Sequence, residues 1–263
     1  MRYGVCGDAG LGSALADAGF DYMEVNVQGS LKPEADDKEF IEELKKLKAC
    51  ALPCEAANCL LPGDLKVTGP AVDWPRLSRY LQVAFRRARE AGLQTIVFGS
   101  GGARRIPDGF DRGAAWKQLV DFARAAGAAA AEQGIVVVAE PLNKKESNVL
   151  VTVGEAGRLV DDAAHSNFAL LVDAYHWNLD HDSVAELVAY GSRLRHAHIA
   201  TTATRKAPGL EPCDFGPFFR ALREGGYDGR ISIEGGWTDL RKDAPRALSV
   251  LKEAERAAAE AQG

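Results

Sequence analysis

Four side chains able to bind a metal or carry a proton stand at the ends of four successive apolar runs. Glu140 closes IVVVAE (135–140). Asp173 sits near the end of ALLVDAY (169–175), His198 near the end of LRHAHIA (194–200), and Glu234 near the end of RISIEG (230–235). Any one of them could be a solvated charge where a strand runs out, and Pro141 after Glu140 could simply mark the end of a ladder, since proline has no N–H to donate. Four in a row read differently if the runs are neighbouring strands. Three carboxylates brought together repel one another and resist desolvation, and a divalent cation relieves both penalties. Three carboxylates and an imidazole form a hard, oxygen-rich set suited to Mn²⁺, Mg²⁺ or Co²⁺, with Zn²⁺ less favoured. Side chains alternate along a strand, so His196 and His198 point the same way, and His198 lies nearer the rim.

Positioning those residues requires a regular frame, and the chain supplies one. Strand-like runs fall at 2–7, 22–27, 53–60, 95–100, 135–140, 169–175, 194–200 and 230–235. Between and after them lie helical patterns at 11–20, 36–50, 73–92, 116–134, 152–163, 183–191, 214–227 and about 239–260. In the second of these helices Phe40, Ile41, Leu44 and Leu47 share one face at 3/4 spacing. In the third, Asp73 is a candidate N-cap and Gly92 a stop signal. Eight β–α pairs without a linker or a shift in composition predict one (β/α)8 TIM barrel over residues 1–263, in which the site lies at the C-terminal ends of the strands. A doubly wound sheet is the alternative. FGSGGARR (98–105) departs from the usual dinucleotide fingerprint, giving Gly-x-Gly-x-x-Arg and then Ile106-Pro107 instead of a helix.

The 263 residues carry a net charge of −5, and no basic stripe is present, which argues against a nucleic-acid partner. RRAR (86–89), the densest basic run, sits in a helical pattern and reads as a solvated face. No apolar stretch approaches the ~18 residues of a membrane span. The N-terminus lacks the apolar core of a secretory signal. Five cysteines, three of them crowded at 50, 54 and 59 with no histidine near them, read as reduced thiols, and the expectation is a cytoplasmic protein. The chain closes in a helix-forming tail with a polar end.

Five segments together resemble the xylose-isomerase-like (β/α)8 superfamily, in its sugar isomerase/epimerase branch of ketose 3-epimerases and hydroxypyruvate isomerase. They are FDYMEVN (20–26), AEPLNKKESN (139–148), LVDAYHWN (171–178), HAHIA (196–200) and YDGRISIEGGW (227–237). The resemblance implies one divalent metal, Mn²⁺ foremost, held by Glu140, Asp173, His198 and Glu234, with Glu140 and Glu234 also serving as acid and base. It implies substrate contacts from His176 and Arg205, and a structural or substrate-contacting role for Glu24. It is compatible with a homo-oligomer.

From the residues themselves, Arg104 and Arg105 could grip a substrate carboxylate or phosphate, or could form part of a surface loop held by salt bridges. Asn143 and Asn148 flank the metal strand and could orient Glu140. Trp177 and Trp237 could wall a sugar face or simply pack, and His165 and His181 read as surface loop residues. The expected activity is isomerisation or epimerisation of a small sugar or keto-polyol through an enediolate. Alternatives are a dehydratase or lyase on the same kind of substrate, an endonuclease-IV-like phosphodiesterase, and a non-catalytic sugar-binding barrel.

Overall fold

The computed structural model describes residues 1–261, and the last two residues of the polar tail lie outside that range. Eight parallel strands close on themselves in chain order: β1 (Arg2–Cys6), β2 (Tyr22–Asn26), β3 (Cys54–Asn58), β4 (Thr95–Phe98), β5 (Val136–Ala139), β6 (Phe168–Asp173), β7 (Leu194–Ile199) and β8 (Arg230–Ile233). β1 pairs with both β2 and β8, so the sheet has no free edge. This is the (β/α)8 barrel expected from the alternation, and the doubly wound alternative is set aside.

The helices form because each carries an apolar stripe that only the outer wall of the barrel can bury. The helix Trp74–Ala91 begins where the Asp73 carboxylate accepts from the Arg76 N–H at 3.0 Å, and ends at Gly92, whose φ of +92° suits a residue without Cβ. Its buried face includes Leu77, Leu81, Ala84, Phe85 and Ala88. These join the large core between helices and barrel, while Val97, Val138, Ala169 and Leu171 form a separate cluster.

At its N-terminal end the barrel is filled by polar residues that satisfy one another. Arg2 and Arg230 both bind Glu55, at 2.7 and 3.1 Å, and the Tyr22 hydroxyl lies 2.9 Å from Ser232 Oγ. With that end sealed, the open rim at the strands' C-termini is where a ligand enters.

Candidate active site

Glu140 and Glu234 stand one residue beyond their strands, yet both stay tied to the ladder. The Glu140 N–H donates to the Phe98 carbonyl at 3.2 Å, and the Glu234 N–H to the Ile199 carbonyl at 3.1 Å. Asp173 is the last residue of β6 and sits in register with His198 on β7. One donor atom each from Glu140, Asp173, His198 and Glu234 all lie within 4.8 Å of one another.

The orientation of His198 bears on what this group can hold. Its Nε2 donates to Glu24 Oε1 at 2.9 Å, so Nδ1 turns toward Glu140 Oε1 at 3.2 Å and Glu234 Oε2 at 3.4 Å. In the neutral imidazole a lone pair would face two carboxylates; a proton on Nδ1, or a cation taking its place, removes that conflict. Positive charge already gathers there. Burial alone would lower the His198 pKa, but Glu24 and then Glu234 hold it well above its ordinary value. Arg205 Nη2 donates to Glu234 Oε2 at 2.6 Å and to Asp173 Oδ2 at 3.3 Å. The donor set therefore fits one hard divalent cation, with Glu24 fixing the imidazole tautomer from behind.

Glu24 is fully buried between two imidazoles, His196 Nε2 at 2.6 Å and His198 Nε2 at 2.9 Å. Burial pushes its pKa up, and the two histidines more than reverse this, holding it well below the usual carboxylate range. Of the two roles open to it, the geometry matches the structural one. Burial also raises the Asp173 pKa, whereas the charges of His198 and Arg205 outweigh burial at Glu234 and bring it down to about 2.

Above these groups opens a cleft of about 230 Å³. Glu140, Glu234, His176 and Arg205 line it together. That volume suits a small molecule and not a polymer. His176 lies in a short helix, Ala174–Leu179, directly after β6. Its Nδ1 accepts from the Asn143 backbone N–H at 3.2 Å and lies 2.8 Å from Asn143 Nδ2. The ring proton therefore falls on Nε2, which is buried without a hydrogen-bond partner, 3.6 Å from Asp173 Oδ2. Arg205 is propped on the Tyr175 ring, 4.6 Å from its centroid.

Several expectations need correction. Arg104 is fully buried and does not face a substrate. Its guanidinium donates to the carbonyls of Phe98 (3.0 Å), Glu140 (2.6 Å) and Leu150 (3.3 Å), bracing the backbone that carries Glu140. Arg105 is exposed and is not part of the cleft wall. Asn143 orients His176 instead of Glu140, and Asn148 binds the backbone of Ile106. Trp177 is buried against Phe218, while His165 and His181 lie toward the surface as expected.

The residues that sequence reasoning passed over include Asn58, Glu146 and Gln28. Asn58 donates to Glu234 Oε1 at 2.8 Å, and Glu146 lies 3.8 Å from Arg205. Asn58 ends β3 at the same rim as the four donors, so its strand-end position was the available signal.

Gly99 follows β4, and its lack of a side chain is what admits the Glu140 carboxylate. A Cβ placed there would lie 2.0 Å from Glu140 Oε2. Gly99→Ala should therefore displace that carboxylate. The expected result is a loss of activity of about 10²-fold with an unchanged circular-dichroism spectrum, since small misplacements of reacting groups cost that much. Full activity in this variant would mean that the position of Glu140 does not matter.

The model of a family described as the xylose isomerase-like TIM barrel matches residues 13–255. An L-ribulose 3-epimerase of Methylomonas sp. (strain DH-1) is 28% identical over 226 residues, covering 84% of this chain and 76% of that protein. A 3-dehydro-D-guloside 4-epimerase of Escherichia coli K12 is 32% identical over 121 residues, 45% of either chain. Among solved structures, D-psicose 3-epimerase from Clostridium cellulolyticum H10 with D-tagatose superimposes with a TM-score of 0.82 at 20% identity, covering 97% of this chain and 99% of that one.

Proposed function

The chain belongs to the xylose isomerase-like TIM-barrel family and is an enzyme of the sugar isomerase/epimerase type; from that premise we propose that it exchanges the proton on the carbon next to the carbonyl of a small keto sugar, with Glu140 and Glu234 as acid and base. The observation that carries this reading is that both glutamates line one cleft and both approach the same atom, His198 Nδ1, at 3.2 and 3.4 Å. They arrive from the ends of different strands, β5 and β8, so a sugar bound between them would present each with a different face.

Glu140, Asp173, His198 and Glu234 would hold one divalent metal ion, Mn²⁺ foremost. When bound it would act as a Lewis acid toward negative charge developing on the sugar oxygens. The protein side chains do the rest. One glutamate, as the carboxylate, takes the proton alpha to the carbonyl and becomes a carboxylic acid, and the other, which enters the cycle already protonated, returns its own proton to the opposite face. Return to the opposite face of the same carbon inverts it. Return to the neighbouring carbon interconverts ketose and aldose. Asn143 holds His176 by Nδ1, so that Nε2–H, beside Asp173, would be the donor left for a substrate oxygen. Asn58 fixes the angle of the Glu234 carboxylate, and Arg205 neutralises charge at its other oxygen.

No phosphate motif of recognised form is present, and Arg205, the one arginine in the cleft wall among the described residues, is already paired with carboxylates. The substrate we favour is accordingly an unphosphorylated sugar or sugar acid. Five free cysteines suit the reducing cytoplasm, and among the described residues no helix is long and apolar enough to cross a membrane. A screen of free and phosphorylated ketoses with added Mn²⁺, read by NMR, tests the proposal. An isomer of equal mass from a free ketose is expected. A product lacking the elements of water would replace it with a dehydratase.

A further inference from the structure

Next to the cleft, on the same face of the barrel, lies a second recess of about 300 Å³ between the segments that follow β2 and β3. Gln28, Lys32, Pro33, Glu34, Pro62 and Tyr80 line it. Gln28 belongs to both hollows, and of two adjacent residues Leu61 faces the cleft and Pro62 the recess. The partition is thus one side chain and one stretch of loop. Gln28 is held in place because its Nε2 donates to the carbonyls of Cys59 (2.9 Å) and Leu61 (3.2 Å). Its Oε1 remains an unused acceptor among the described residues. The backbone there departs from the usual β–α connection, with a π-helical turn at Val27–Leu31 and a left-handed Lys32 (φ +46°). Such turns are enriched at functional sites.

Tyr80, on the helix Trp74–Ala91, is 3% exposed, and its hydroxyl has no hydrogen-bond partner among the described residues. A buried hydroxyl left unpaired is costly, so it calls for a partner from outside. The chemistry of that partner follows from the rest of the wall. The charges are already spent within the protein: Lys32 Nζ lies 3.4 Å from Glu43, and Glu34 pairs with Arg76 at 2.6 Å. A charged ligand finds no unpaired counter-ion. Two proline rings offer apolar faces, and Tyr80 and Gln28 offer a hydroxyl and a carbonyl. That combination suits a neutral polyhydroxylated ring, with C–H groups on its faces and hydroxyls at its edge.

We propose that the recess is a subsite for a glycosyl unit linked to the reacting sugar, which makes the substrate class a ketose disaccharide. This rests on the reading of the cleft as a sugar isomerase/epimerase site. The test compares D-fructose with isomaltulose and trehalulose, which carry a glucosyl group on O6 and O1 of the same ketose. Each is measured with Mn²⁺-loaded enzyme for solvent proton exchange and, independently, for binding by calorimetry. At least one disaccharide should bind about tenfold more tightly than D-fructose and exchange with a correspondingly higher kcat/KM. Tyr80→Phe should reduce that ratio about fivefold, the worth of one hydrogen bond. Gln28→Ala, at an exposed position, should also reduce it and guards against a folding defect in the Tyr80 variant. Equal binding of all three sugars, or a ratio unmoved in both variants, overturns the subsite and leaves the isomerase reading intact. Tighter, Tyr80-dependent disaccharide binding without proton exchange supports the subsite and overturns the isomerase reading.

Discussion

Glu140→Gln and Glu234→Gln should each lower turnover by about 10³-fold, within the range that a positioned acid or base contributes. Glutamine keeps the shape and loses the ability to take a proton. Glu140 is the sharper case. Its backbone is pinned by the ladder bond to Phe98 and by Arg104, and its carboxylate occupies the space that Gly99 leaves open. The variant should therefore differ from the parent by one functional group in a fixed place. Glu234 is also held, through Asn58 on one oxygen and Arg205 on the other. Amide oxygens are poorer metal ligands, so metal content must be measured in both variants. A Gln variant that retains its metal and full turnover would remove that residue from the acid/base pair.

Asp173→Ala should abolish metal binding, because it deletes a donor and leaves the remaining carboxylates uncompensated. Elemental analysis should fall from about one ion per chain to none, and the stabilisation that added Mn²⁺ gives the parent should vanish with it. His176→Ala should keep the metal and lose turnover. Its Nδ1 is engaged by Asn143, and its free Nε2–H is a donor, which leaves no lone pair for an ion. Equal metal loss in both variants would move His176 into the ligand set and require the opposite tautomer.

The barrel was legible because two periods alternate along the chain. Short β-branched runs and amphipathic helices with recognisable caps, such as Asp73 and Gly92, leave few arrangements open. Boundaries were less clear where those signals fade. The helix expected at 116–134 begins instead at Arg112, capped by Asp111, because Gly113, Ala114 and Ala115 carry little amphipathic signal. The strand expected to reach residue 175 stops at Asp173, whose Oδ1 accepts from the Tyr175 N–H at 2.9 Å and starts a helix. Ala174 and Tyr175 extend the apolar run and hide that turn.

The meeting of Glu140, Asp173, His198 and Glu234 could be anticipated from strand-end position alone, since barrel closure brings those ends to one rim. Arg104 could not be placed this way. Residue type says that guanidinium donors need acceptors; only the fold shows that three backbone carbonyls provide them. Nor did sequence reveal that Asn143 serves His176, because that contact joins two separate β–α connections.

Turnover in D2O is the most direct test of the central claim. If a glutamate takes the proton and a carboxylic acid returns one, the intermediate acid exchanges with solvent. The product should then carry deuterium on the carbon next to the carbonyl, detected by NMR. Efficient turnover into product with no solvent deuterium would point to direct hydride transfer between carbons and contradict the acid/base role of both glutamates.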